Sequence, residues 1–144
     1  MAKINGVYLC SDNMFQIGKT EDSLMDIKET ESFSVSFDNG IEEWTPFDAE
    51  GWGRRLMTAK SITISVTGKR YVGDPGNDFV AGLAFKNGRG AEAILQWTFP
   101  DGTKVLFKDA VINVGALGSG DSTAVAPLEF EALSNGKPEV VPAI

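Results

Sequence analysis

Two stretches of the sequence alternate strictly between apolar and hydroxyl side chains. In residues 32–37 Phe33, Val35 and Phe37 alternate with serines, and in residues 60–67 isoleucines and a valine alternate with Ser and Thr. Because successive side chains of a strand point to opposite faces, a period of two predicts strands with one buried and one wetted face. The chain is therefore expected to build a sheet with a hydroxyl-lined surface.

Further short apolar segments, bounded by turn residues, predict strands at residues 7–11, 15–20, 93–99, 103–114 and 122–133. We expect a tight turn at Asp12-Asn13 between the first two, and a Pro100-Asp101-Gly102 hairpin later. Pro127 interrupts the last strand. One helix is predicted, capped by Asn77 or Asp78 and running to about Asn87, with Phe79, Leu83 and Phe85 on its core side.

These elements predict a mainly β fold, either an antiparallel β-sandwich or a partly closed barrel, with one flanking α-helix. The length of 144 residues suits one core, so a single domain over residues 1–138 and a short tail at 139–144 are expected. Residues 41–57 show no sustained period and are predicted to form a long inserted loop. Its aromatic residues Trp44, Phe47 and Trp52 should be buried against the domain or a partner.

The composition argues against catalysis. The sequence contains no histidine, which removes the commonest general base and the commonest metal ligand. Cys10 is the single cysteine and is expected to pack as a small buried hydrophobe. Gly18-Lys19-Thr20 lacks the earlier glycine that a phosphate-binding loop requires. We therefore expect no enzyme activity, no metal site and no cofactor.

The negative charge is concentrated in one part of the chain. Residues 21–50 hold ten acids and one base, in a chain of net charge −7. A protein that grips nucleic acid has a basic stripe instead, so this stretch is either a solvated face or a surface that repels phosphate. No apolar window is long enough for a membrane anchor and no signal region is recognised, so a protein made in a cytoplasm is expected.

An ordered series of short patterns runs through residues 43–138. They are the Trp44 loop with Gly51-Trp52-Gly53, the strand from Thr58 to Ser65, Gly68 to Gly73-Asp74-Pro75, Phe79-Val80-Ala81, Phe99-Pro100-Asp101-Gly102-Thr103, and Leu133-Ser134-Asn135-Gly136-Lys137-Pro138. In order and spacing this series resembles the major tail protein family of siphophages, which are long-tailed bacteriophages with a non-contractile tail tube. Residues 1–42 fit the layout but add no distinctive motif.

The resemblance implies a structural virion protein that assembles into stacked hexameric rings, the conduit for DNA ejection. Implied partners are further copies of the chain and the tape measure, tail tip and tail terminator proteins. Double-stranded DNA would pass through the bore without specific binding. The implied location is the phage tail, after assembly in the host cytoplasm. Loops and terminal arms would bridge successive rings, which makes Trp44, Phe47 and Trp52 candidates for the ring-to-ring contact. Glu29, Glu31 and Asp38 are candidates for lining the bore.

Two alternatives remain open at this stage. The tube could belong to a contractile tail, a phage-derived bacteriocin or a secretion tube, which would place a sheath outside it. Alternatively, the chain could be a monomeric β-sandwich module that binds a glycan or peptide through exposed tryptophans.

Overall fold

The computed structural model describes residues 5–143 as one antiparallel eight-stranded sheet with one α-helix. The strands are β1 (Met14–Gly18), β2 (Met25–Asp26), β3 (Thr30–Trp44), β4 (Arg54–Lys69), β5 (Glu92–Thr98), β6 (Lys104–Leu117), β7 (Pro127–Leu133) and β8 (Glu139–Val141), and the helix is α1 (Pro75–Leu83). The sheet order is β2-β1-β5-β6-β7-β4-β3, with β8 also paired to β6. The predicted mainly β class with one flanking helix is confirmed.

The sheet curls until its two ends meet through aromatic side chains. Phe15 of β1 and Phe33 of β3 lie near opposite ends of the strand order, yet their ring centroids are 4.9 Å apart. The ring centroid of Trp97 lies 5.9 Å from that of Phe15 and 6.1 Å from that of Phe33, and Trp97 packs half-buried against the core. Among the described strands no ladder joins these two ends, so the barrel stays open. The apolar core fills the inside of the curl, with α1 packed against β1, β2 and β6.

The predicted loop at residues 41–57 is wrong in extent. Strands β3 and β4 continue through most of it, with register running from Phe37 opposite Ile62 to Trp44 opposite Arg54. The connecting segment is only residues 45–53. A bulge between Gly40 and Ile41 shifts the pairing, and neither face is buried beyond that point. Backbone hydrogen bonds between β3 and β4 therefore stabilise strand structure in a region where the side chains do not alternate and do not predict it.

The prediction of an N-terminal hairpin is also wrong. Residues 7–11 form no strand; a short 3₁₀ turn covers Cys10–Asp12, where the Asp12 amide donates to the Leu9 carbonyl at 3.0 Å. Strand β1 pairs with β5 and β2 instead. Cys10 is exposed, contrary to the expectation of a buried thiol, and no residue of its turn is buried.

The helix begins and ends earlier than expected. Its N-cap is Asp74, whose carboxylate accepts a hydrogen bond from the Asn77 amide at 3.0 Å, and Pro75 occupies the first turn. It ends at Leu83, which is buried, and this leaves Phe85 beyond the last turn and 86% exposed. No helix of the described chain is long and apolar enough to span a bilayer.

The C-terminal segment is not a free tail over its whole length. Residues Glu139–Val141 form β8, which pairs with residues 104–106 of β6. A three-residue strand with every side chain exposed has no burial pattern to read in a sequence.

Candidate assembly surfaces

A hydroxyl-lined wall runs across the outer face of four strands, β3, β4, β7 and β6. One row crosses all four, with Ser34 opposite Ser65, Ser65 opposite Glu131, and Glu131 opposite Asn113. The neighbouring rows continue the pattern with Ser32, Thr67, Glu129, Ser36 and Thr63. The alternating serines and threonines therefore do share one surface, which faces away from the core.

The wall carries more acids than bases, since its acids Asp38, Glu129 and Glu131 share the face with Lys69 at the end of β4. The Glu131 carboxylate accepts hydrogen bonds from Ser65 Oγ at 3.4 Å and Asn113 Nδ2 at 3.2 Å. By the strand register Asp38 and Glu129 lie on the same face, and both are exposed. The wall is thus a polar surface with net negative charge.

The three acids proposed from the sequence for a bore do not form one group. Asp38 is on the wall, next to Ser36 along β3. Glu31 sits in the bulge at the start of β3 and forms an ion pair with Lys69 Nζ at 3.2 Å. Glu29 lies in the preceding turn with φ 64, and its carbonyl accepts from the Lys69 amide. Sequence reasoning missed Glu129 and Glu131, although their alternation with Leu128 and Phe130 signals a shared face.

A long hairpin, residues 37–60, projects from the body and is called the hairpin arm below. Its exposed large apolar side chains are Phe37, Ile41, Trp44, Phe47, Trp52, Leu56 and Met57. On one face, Ile41 pairs with Met57 and Phe37 with Ile62, so the stripe prolongs the row of β3 that contacts the core. Exposed apolar patches of this extent mark interaction sites in soluble proteins.

The tip of the hairpin arm holds all three aromatic residues predicted for a contact. Phe47 is fully exposed, Trp52 is 77% exposed and Trp44 is 45% exposed. The backbone of the tip is ordered by a 3₁₀ turn at Phe47–Ala49 and by the Trp52 amide, which donates to the Ala49 carbonyl at 2.9 Å. The aromatic rings at the tip are therefore attached to a hydrogen-bonded turn and not to an irregular loop.

The wall ends in two unpaired strand edges. Strand β3 is last in the sheet order, so its outer edge has no partner among the described strands. At the other side of the wall, β5 pairs with β6 only as far as Val111, which leaves residues 112–117 open on that side. Open edges present backbone donors and acceptors that another strand can pair with.

The buried side chain of Asn77 forms hydrogen bonds with the backbone just before β3 and at the end of β4. The Asn77 side chain, fully buried, donates to the carbonyls of Lys28 and Lys69 and accepts from the Tyr71 amide and Arg70 Nη1. Arg70 also binds Asp78 at 2.8 Å, and this hydrogen bond holds the pKa of the Asp78 carboxyl below its usual value. These hydrogen bonds connect the C-terminal end of β4 and the turn before β3 to α1.

Nothing in the described part of the chain is arranged for metal chemistry. Residues 5–143 contain no group of three or more His, Cys, Asp or Glu side chains that could hold a metal ion. Within the same residues, every buried side-chain nitrogen or oxygen has a hydrogen-bond partner. The surfaces above are suited to contacts between proteins.

Comparison with known proteins identifies the fold. No protein-family model and no curated protein matches the sequence. A chain in the virion of a native gene transfer agent particle aligns with TM-score 0.71 and 17% identity, over 94% of this chain and 100% of its own. A chain in the tail of an empty gene transfer agent particle, computed with helical refinement and C6 symmetry, gives the same values.

A third similar structure is the sheath/tube terminator of an extracellular contractile injection system in its extended state. It aligns with TM-score 0.62 and 11% identity, over 96% of this chain and 99% of its own. At these identities the likeness establishes a shared fold. The resemblance to tail tube proteins is thus confirmed at the level of the fold.

Proposed function

We propose that this chain is a structural subunit of a phage-type tail tube, which self-assembles into stacked hexameric rings that conduct DNA. The observation that carries the proposal is the hairpin arm, an ordered projection whose apolar side chains only a partner can cover. The fold shared with a chain of a tail computed with C6 symmetry indicates which partner, namely further copies of the chain.

Within a ring, the two open edges of the wall supply the contact. The outer edge of β3 in one copy would pair with residues 112–117 of β6 in the next copy. Edge-to-edge pairing repeated around a symmetric ring leaves no edge free, which removes the aggregation hazard of open strands. The hydroxyl-lined wall would then become the inner surface of one continuous barrel.

Between rings, the tip of the hairpin arm supplies the contact. Trp44, Phe47 and Trp52 would be covered by a subunit of the adjacent ring, as aromatic side chains anchor many interfaces. Such a contact joins the tip to a different surface of the next copy. Contacts of this head-to-tail kind do not close on themselves, so rings can be added without limit until a terminator stops growth.

In the assembled tube, the acids of the wall would keep the DNA from binding. Asp38, Glu129 and Glu131 would face the bore, with Glu29 and Glu31 at one end of the wall. Carboxylates repel phosphate within about 8 Å at physiological ionic strength. A neutral or basic bore in a tube structure would refute this part of the proposal.

A second candidate is a tube subunit of a contractile tail or injection system. The similarity to the sheath/tube terminator and to a chain of a sheath-tube complex, at TM-scores of 0.62 and 0.55, favours it. The two candidates differ in whether a sheath surrounds the tube. Addition of a purified sheath protein encoded beside this chain would distinguish them, because only a contractile-type tube should be coated.

Negative-stain electron microscopy of concentrated protein, alongside light scattering, tests the proposal. Hollow rings or tubes, either spontaneous or seeded with a tail-tip complex, are expected. A monomer that stays monomeric after seeding, and whose tryptophan fluorescence is quenched by a glycan or peptide, would instead establish a binding module.

A further inference from the structure

The sequence contains four Asn-Gly pairs, at residues 5–6, 39–40, 87–88 and 135–136. Such a pair reacts with itself when the glycine amide nitrogen attacks the side-chain carbonyl carbon, Cγ, of the asparagine before it. Glycine favours this attack because it has no Cβ to obstruct the approach. The backbone and the charges around each pair therefore decide which of the four reacts in the folded protein.

In the pair Asn87-Gly88 the two reacting groups are already in contact. The Gly88 amide donates to Asn87 Oδ1 at 2.8 Å, so its nitrogen lies beside the side-chain amide. Both residues are exposed where the 3₁₀ turn Gly88–Ala91 begins, and Gly88 has φ 59. Rotating the Asn87 backbone to bring the nitrogen onto Cγ breaks the hydrogen bond from the Gly90 amide to the Asn87 carbonyl at 3.2 Å. Local opening of an exposed turn costs little free energy.

Positive charge flanks the same pair. Lys86 precedes it and Arg89 follows it, and both side chains are exposed. Arg89 also forms an ion pair with Glu92 at 3.7 Å. Cations beside the pair stabilise the deprotonated Gly88 nitrogen, which is the attacking group, and the negative oxygen that forms on Asn87 during the attack. The local charge therefore favours the reaction.

The other three pairs lack this arrangement. Asn39 lies within β3 and pairs with Lys60 of β4, so the strand ladder holds its backbone extended. Asn135 Nδ2 donates to the Glu92 carboxylate at 3.5 Å, and a carboxylate in contact disfavours the negative charge that the attack creates. Asn5 belongs to no helix or strand and serves as the reference for a pair outside regular structure.

We propose that Asn87, flanked by Lys86 and Arg89, is a self-modifying site that converts to aspartate and isoaspartate. The Gly88 nitrogen loses its proton to hydroxide and forms a bond to Cγ. The bond from Cγ to Nδ2 then breaks, and Nδ2 takes a proton from water and leaves as ammonia. Water opens the resulting cyclic imide at either carbonyl, which leaves a new carboxylate on the side chain or on the backbone.

The conversion adds one negative charge to each copy. The net charge changes from −7 by one unit to −8, and the new carboxylate lies between Lys86 and Arg89. The reaction consumes only water and hydroxide, so it requires no enzyme and no second protein. The inference goes beyond the proposed tube function and does not depend on it.

Incubation of the purified protein at mildly alkaline pH, in water enriched in heavy oxygen, tests the site. Samples are taken until half of Asn5 has converted and are then cleaved after glutamate. This cleavage places the four pairs in separate peptides, residues 1–21, 32–42, 51–92 and 132–139. Mass spectrometry with electron-transfer fragmentation identifies each converted residue by the heavy oxygen it has taken up. Asn87 should convert about tenfold faster than Asn39 and Asn135, because opening a strand ladder costs more than opening an exposed turn.

Two controls make the result specific. In concentrated urea, Asn39 and Asn135 should convert about as fast as Asn87, because the fold no longer distinguishes them. In the folded protein, Lys86→Ser should slow the conversion of Asn87 about two- to threefold, since one favourable charge is lost. Lys104→Ser, which removes an exposed lysine from β6, is the matched variant and should leave the rate unchanged.

Each outcome decides the proposal. Conversion of Asn87 ahead of Asn39 and Asn135 in the folded protein, with the difference lost in urea, supports it. Conversion of either residue at the rate of Asn87 would overturn it, and so would an Asn87 that is unchanged when half of Asn5 has converted. An equal rate in the Lys86→Ser and Lys104→Ser variants would overturn the role assigned to the flanking charge. None of these results depends on tube formation, so failure here leaves the proposed function intact.

Discussion

Removal of two tryptophans from the hairpin arm should raise the protein concentration needed for assembly about 30-fold without unfolding the subunit. In the double variant Trp44→Ala, Trp52→Ala, the side chains removed are 45% and 77% exposed in the isolated chain. Because Trp44 is partly buried in the isolated chain, its removal should lower the free energy of unfolding by about 1–3 kcal/mol. Removal of the more exposed Trp52 should change it by about 0.5–1 kcal/mol. Circular dichroism during urea titration would measure that change.

The expected loss of assembly follows from the same exposures. An aromatic side chain buries about 150–250 Å², worth about 4–6 kcal/mol at about 25 cal/mol per Å². Scaled by the exposed fractions, Trp44 would contribute about 2–3 kcal/mol and Trp52 about 3–5 kcal/mol to a ring-to-ring contact. If ordering costs offset two thirds of the sum, about 2 kcal/mol remains, which raises the critical concentration for tubes about 30-fold.

Trp97 is the matched control. It is half-buried, contacts three aromatic rings and donates from Nε1 to Asn13 Oδ1 at 2.9 Å. Trp97→Ala should therefore lower the free energy of unfolding by about 3–5 kcal/mol. The assay is sedimentation of tubes over a concentration series, with the subunit's fold verified separately. Unchanged tube formation by the Trp44/Trp52 double variant, or its unfolding, would refute the reasoning.

Three further substitutions test the body of the subunit. Asn77→Asp keeps the shape but turns two donors into acceptors facing backbone carbonyls, so a loss of about 1–3 kcal/mol is expected by urea titration, and an unchanged midpoint would contradict it. Gly68→Ala places a methyl group against the Glu29 carbonyl and should lower stability by about 1–3 kcal/mol, or more if the backbone cannot shift; a wild-type melting temperature would show that it can. The hydrogen bond from Arg70 lowers the pKa of Asp78, so the contribution of this carboxylate to folding stability is present above pH 3.8 and is lost as the pH falls through the lower folded-state pKa. Asp78→Asn should remove this part of the acid dependence of stability. An acid-unfolding profile identical to that of the wild type would refute it.

The elements that the sequence predicted are those with one buried face. Period-two alternation located the body of β3 and β4, and Pro100-Asp101-Gly102 located the β5–β6 hairpin. In each case burial on one side and solvent on the other force a pattern that a reader can see. The class of the fold follows from these elements.

Elements exposed on both faces escaped prediction. The distal hairpin arm and β8 are held by backbone pairing, and their side chains therefore need not alternate. Conversely, Val7 and Leu9 look strand-like yet have no facing surface in the isolated chain. For the wall, Glu129 and Glu131 could be predicted from their alternation with apolar residues. The bulge that contains Glu31 could not, because it changes the strand register without leaving a mark in the composition.

Cryo-electron microscopy of seeded tubes, resolved well enough to trace β3 and β4, tests the central claim most directly. The account predicts a hollow tube of stacked sixfold rings with Ser34, Ser65 and Glu131 facing the bore and the tip of the hairpin arm inserted into the adjacent ring. A tube whose bore is lined by another face, or a protein that stays monomeric after seeding, would contradict it.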